Sequence, residues 1–219
     1  MHLVEEGADV NTQGRYGTAL QAASSSGHLN IVVFLLGKGA DIDARTRRSH
    51  NALQCASQYG RLDIVKYLLN KGAAVNAQEG DSRTALYLAS IFGHLDIVLY
   101  LIEQGADVNA QGGLYGTALC AASFSGHLNI VTHLVHKGAD VNAQGGLYGT
   151  AAQGGLYGTA LCAASFFGHL NIVTHLVHKG ADVNAPGLRN ENAFQAAIYN
   201  KQDAVLEFLQ NHKADLRHQ

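Results

Sequence analysis

The chain has 219 residues, a net charge of −2, 12 histidines, 3 cysteines and no tryptophan. That charge gives no general attraction to nucleic acid or to an anionic membrane, and no apolar run reaches the roughly eighteen residues that a membrane span needs. The cysteines lack metal-ligand spacing and suit a reducing compartment, and no basic-plus-apolar leader opens the chain, so an intracellular, cytoplasmic protein is expected.

Residues 1–13 read as a partial unit, because residues 1–11 match residues 132–142, the tail of a helix and its exit. A sequence that starts in mid-unit is expected to be part of a longer chain. From there an Ala-Leu or Ala-Phe pair recurs at Ala19, Ala52, Ala85, Ala118, Ala160 and Ala193, in four steps of 33 residues and one of 33 plus 9. A period of that length denotes a stacked array whose units touch their neighbours, with function spread over a repeated surface. The expected plan is a single domain, 1–219, with repeats at 14–46, 47–79, 80–112 and 113–145, an insertion at 146–154, a repeat at 155–187 and a C-terminal capping repeat at 188–219.

The unit 113–145 shows how each repeat is built. Thr117 precedes Ala118-Leu119 and can accept an orphan backbone N–H as an N-cap; Thr18, Thr84 and Thr159 hold the same place, and Asn51 and Asn192 replace it elsewhere. The helix from Ala118 to about Phe124 carries small side chains that let a neighbour approach. Gly126 breaks it, and a second helix starts near His127 with Ile130, Val131, Leu134 and Val135 as its apolar stripe. Gly138 then closes that helix as a left-handed cap, and residues 139–150 read as a projecting, hairpin-like finger. Helices this short do not survive alone in water, so they must pair and the pairs must stack. The predicted fold is an all-α solenoid.

Residues 110–143 and 152–185 are identical except for Ser125 against Phe167. Residues 143–151 between them repeat the nine that follow, too few for a helix pair, and so should loop out at little entropic cost. From Asn192 onward Lys201 and Lys213 replace glycines, and Gln202, Asp203, Glu207, Gln210 and Asn211 add the polarity expected of a cap.

These residues resemble the ankyrin repeat. Gly105-Ala106-Asp107-Val108-Asn109-Ala110 and Gly126-His127-Leu128-Asn129-Ile130-Val131 are similar to its two best-known segments, and Thr18-Ala19-Leu20-Gln21 and Thr117-Ala118-Leu119-Cys120 to its opening. With the Tyr16-Gly17 or Tyr115-Gly116 lead-in, the variant looks like repeats of large filamentous-fungal proteins, where such arrays follow a NACHT module. The resemblance implies a non-catalytic protein–protein interaction scaffold, or alternatively the sensor arm of a larger NACHT-type NTPase.

Chemistry has weaker support. His133 and His136, with their copies His175 and His178, pair imidazoles at i, i+3, whereas a closed zinc site takes four ligands. His28, His94, His127 and His169 follow a glycine and should shape the turn between helices. Cys55, Cys120 and Cys162 read as compact apolar filler in the small-residue helix. A metal- or thiol-dependent enzyme is the minor alternative; no catalytic residue, cofactor or metal is assigned.

The resemblance implies that the last two residues of each first helix face a concave groove: Ser25-Ser26, Gln58-Tyr59, Ile91-Phe92, Phe124-Ser125, Phe166-Phe167 and Tyr199-Asn200. Tyr59, Phe92, Phe124, Phe166 and Tyr199 would then stack into a ladder along one face and, with Ile91 and Phe167 beside them, bind a protein partner. Arg45, Arg47 and Arg48 crowd one finger tip and would attract an acidic patch on that partner.

Overall fold

The structure, a computed structural model, describes residues 5–14, 17–44, 50–78, 83–145, 158–187 and 191–216. Among these residues there are twelve helices and no strand, with two isolated bridges, Gly14 to Gly17 and Gly112 to Gly116, at the bases of fingers. The chain divides into two compact units, Met1–Asp107 and Val108–Gln219.

In the first unit the helices are α1 (Ala19–Ser26), α2 (Leu29–Gly37), α3 (Ala52–Gln58), α4 (Leu62–Asn70), α5 (Ala85–Phe92) and α6 (Leu95–Glu103). Each odd helix pairs with the even helix after it; α1, α3 and α5 pack in an inner row, and α2, α4 and α6 in an outer one. The second unit repeats the plan with α7 (Ala118–Ser125), α8 (Leu128–His136), α9 (Ala160–Phe166), α10 (Leu170–His178), α11 (Ala193–Tyr199) and α12 (Asp203–Leu216). The expected all-α solenoid of stacked helix pairs is therefore present.

Each inner helix starts where the hydroxyl or amide placed it. Thr18, Asn51, Thr84, Thr117, Thr159 and Asn192 accept the backbone N–H three residues on. Gln21, Gln54 and Gln195 reach back to the cap residue's own N–H, completing a reciprocal pair. Alanine and serine leave the inner row thin enough for close packing, and each outer helix turns one stripe inward, such as Ile64, Val65 and Leu68 on α4. Burying one such leucine or isoleucine is worth roughly 1.5–3 kcal/mol. At the end of α8, Gly138 takes φ +88°, Ala139 N–H donates to the Leu134 carbonyl and Gly138 N–H to that of Val135. That pattern satisfies the last carbonyls and turns the chain out into its finger.

The fingers are tied along the stack by asparagine. Asn11 Nδ2 donates to the Gly39 carbonyl at 3.3 Å while its Oδ1 accepts the Asp41 N–H at 2.8 Å. Asn76 does the same to Gly105 and Asp107 in the first unit, as does Asn109 to Gly138 and Asp140 in the second. The expected insertion at 146–154 lies outside the described residues, but its flanks are defined. Gly145 N–H donates to the Gly158 carbonyl, and α7 packs on α9 much as α1 packs on α3.

Candidate protein-binding surface

The candidate surface lies where each inner helix ends. In the first unit, Tyr59 caps α3 and Phe92 ends α5, and they are 52% and 49% exposed. Both rings therefore stand out from the stack. Ile91, one residue before Phe92, is half-buried.

In the second unit the rings meet one another. Tyr115 from a finger stacks on Phe124 with centroids 4.0 Å apart. Phe124 meets the edge of Phe167 at 4.6 Å, Phe167 meets that of Phe166 at 5.0 Å, and Phe166 stacks on Tyr199 at 5.8 Å. The preceding copy carries Ser125 where Phe167 stands in this one. Mutual packing makes Phe124, Phe166 and Phe167 half-buried, while Tyr199 remains 70% exposed beside an exposed Ile198. The ladder expected from sequence is here a packed run of rings, joined by Tyr115, whose place on a finger gave no sign that it would fold over the helix end. Arg45, Arg47 and Arg48 lie outside the described residues.

Polar reach from the neighbouring repeat sets the helix ends that carry the rings. The His94 ring nitrogen Nε2 lies 3.0 Å from the Gln58 carbonyl, and His169 Nε2 lies 3.2 Å from that of Phe124. A carbonyl only accepts, so each Nε2 carries the proton. Arg61 donates to Ser25 in the same way, and Asn200 and Gln202 both donate to Phe166. The glycines of the turns make this possible: a Cβ on Gly60 would come within 2.7 Å of the His94 ring, and one on Gly126 within 2.7 Å of that of His169. Both histidines do shape the turn, but the turn belongs to the preceding repeat.

Around the run the amides of Asn200 and Gln202 reach the Phe166 carbonyl, and the His169 ring stacks on Phe167. The rings give this surface an apolar character. The cysteine thiols are buried, and desolvation pushes Cys55 up from 9.0 to about 11 and raises Cys120 and Cys162. Hydrogen bonds from Thr117 and Thr159 oppose the rise at the latter two, and the Asp140 charge adds to it at Cys120. Their sulfurs point at finger carbonyls, Cys120 to Ala143 at 4.0 Å and Cys162 to Ala185 at 3.8 Å, where Gln21 donates to Ala44. They are thus finger anchors as well as the filler expected from sequence. Among the described residues no three His, Cys, Asp or Glu side chains converge to hold a metal, and no helix is long and apolar enough to cross a membrane.

Family models agree with this architecture. One described as "Ankyrin repeats (3 copies)" matches residues 1–79, 45–112 and 73–145, and another described as "Ankyrin repeat" matches residues 158–188. No curated protein matches the chain. Such repeats form a protein–protein interaction module that is typically non-catalytic, and this chain belongs to the ankyrin-repeat family.

Proposed function

We propose that the protein is a non-catalytic scaffold that holds a protein partner against the ring-bearing ends of its inner helices. The observation that carries this reading is the run Tyr115–Phe124–Phe167–Phe166–Tyr199. Aromatic clusters of this kind are frequent energetic anchors of interfaces, because a large rigid ring buries much area at small entropic cost. Tyr59 and Phe92 supply a corresponding contact in the first unit, with Ile91 beside them. An array joined to a NACHT-type NTPase would read its partner through the same rings, so that alternative shares this site.

Peptides selected from a displayed library against the whole protein provide the test. The selected binders should lose at least tenfold in affinity to Tyr199→Ala or Phe92→Ala, with unchanged unfolding midpoints. Binders indifferent to both changes, and to Phe167→Ser, would move the site elsewhere.

A further inference from the structure

The outer face of the second unit has a character that the ring-bearing side lacks. Helices α8 and α10 share the sequence Leu-Asn-Ile-Val-Thr-His-Leu-Val-His and pack side by side. Each places two histidines in its last turn, His133 and His136 on one and His175 and His178 on the other, followed by Lys137 and Lys179. Neither helix carries an acidic residue. Side chains at i, i+3 lie about 5–6 Å apart on one helix face, and neighbouring helix axes about 8–10 Å apart. The four imidazoles and two ammonium groups therefore occupy a patch about two helices wide.

We propose that this face is a second docking surface, for an acidic peptide segment, and that it holds such a segment more tightly in mildly acidic solution. Histidine is the side chain whose charge changes between pH 5 and 8, and the carbonyl end of a helix favours positive charge in its last turn. The lysines provide a constant attraction, to which protonation adds further cations.

The four histidines do not contribute equally. His133 Nδ1 donates to the Asn129 carbonyl at 2.9 Å, which fixes that ring on its own helix. His136 and His178 are exposed. His175 has a buried Nε2 without a hydrogen-bond partner; burial, then Lys179 and His178, lowers its pKa and favours its neutral form. The inner helices α7 and α9, which pair with α8 and α10, carry buried Cys120 and Cys162 as their titratable groups, with the sulfurs directed at finger carbonyls. On α12, packed against α10, the ring of Phe208 meets the edge of His178 at 6.5 Å and stacks on His212 at 6.3 Å, extending the row by one imidazole. Helix α12 also carries the exposed Asp203 and Glu207, and the exposed Asp140 and Asp182 follow Lys137 and Lys179 by three residues. A chain with net charge −2 and a patch this narrow suits a few carboxylates better than a nucleic-acid backbone or a membrane.

The probe is a fluorescent octa-aspartate peptide, whose carboxylates remain ionised at pH 5.5, titrated against the full chain by anisotropy with EDTA present. Binding at least tenfold tighter at pH 5.5 than at pH 7.5 is expected, and the double variant H136Q/H178Q should remove most of that gain. Both substitutions are at exposed positions, and circular dichroism at each pH checks that the fold persists. Equal affinity at the two pH values, or an acid gain that survives the double variant, would overturn the proposal. So would an oligonucleotide or phosphatidylserine vesicle that shows the same histidine-dependent gain with higher affinity than the peptide.

Discussion

The backbone N–H of Asp182 donates to Asn142 Oδ1 across 2.7 Å, although 40 residues separate the two where 31 separate Asp140 from Asn109. Asn142 Nδ2 also reaches the Gly180 carbonyl at 3.2 Å, the bond that Asn109 makes to Gly138 at 3.0 Å. The nine extra residues thus leave the finger-to-finger ladder in register. Deleting residues 146–154 restores Gly145-Gly155-Leu156-Tyr157-Gly158, the spacing of the finger at 112–116. The deletion should preserve helicity and a single cooperative transition. Stability should hold or rise by about 1 kcal/mol, the closure entropy of two halvings of loop length. Loss of cooperativity in a thermal melt would show that the segment is built into the stack.

The same ladder has a weak rung. Asp43 stands where the other fingers carry asparagine, and it accepts the Ala74 N–H at 3.4 Å, but its side chain has no N–H to donate to the next repeat. Asp43→Asn should restore both bonds and stabilise the chain by about 0.5–1.5 kcal/mol, the net worth of one hydrogen bond. Urea denaturation of the two proteins, with an unchanged slope, measures it.

Much of this was legible in the sequence for a local reason. A cap is set by one residue and an N–H three positions away, so Thr84 and Asn51 could be assigned without knowing what surrounds them. Gly138 could be assigned because its left-handed conformation depends on its own backbone. The reach of His94 to Gln58 spans 36 residues and that of His169 to Phe124 spans 45, and their chemistry names no target. The packing of Phe167 onto Phe124 joins two repeats, a relation that neither contains alone.

Ser24, Ser57, Ser90, Ser123 and Ser165 occupy one recurring place, each fully buried with a hydroxyl that has no hydrogen-bond partner. A buried, unsatisfied hydroxyl costs about 1–3 kcal/mol, and alanine is the better helix former. Ser90→Ala and Ser123→Ala should each raise the unfolding free energy by about 1 kcal/mol. A loss of similar size would mean that the hydroxyls bond to a carbonyl one turn back.

Cys55 carries the clearest pH dependence. Burial raises its pKa from 9.0 to about 11, so the folded state holds the neutral thiol. The unfolded chain ionises first as pH rises; the stability due to this group is therefore complete below pH 9.0 and lost as pH climbs through about 11. Cys55→Ala should flatten that alkaline loss in denaturation midpoints measured from pH 8 to 11. At pH 7.5 a maleimide should label all three thiols slowly until the chain is unfolded. Rapid native labelling would reveal an accessible thiolate instead.

Phe167→Ser and Tyr199→Ala separate the two roles that the rings combine. Phe167 makes edge contacts with Phe124 and Phe166 and stacks on His169, so it is a joint in the run. Each aromatic pair is worth about 0.5–1.5 kcal/mol beyond its buried area, so Phe167→Ser should cost roughly 1–3 kcal/mol of stability. Serine is what the otherwise identical copy carries at position 125, and the α7 that contains it is intact, so the variant should still fold. Tyr199 is 70% exposed and makes one stacked contact, with Phe166, so its truncation should cost less than about 1 kcal/mol. Its loss should fall on partner affinity instead. Denaturation and binding measured on both variants give the ordering: equal stability losses would mean that Tyr199 is part of the packing, and unchanged affinity in both would remove the run from the interface.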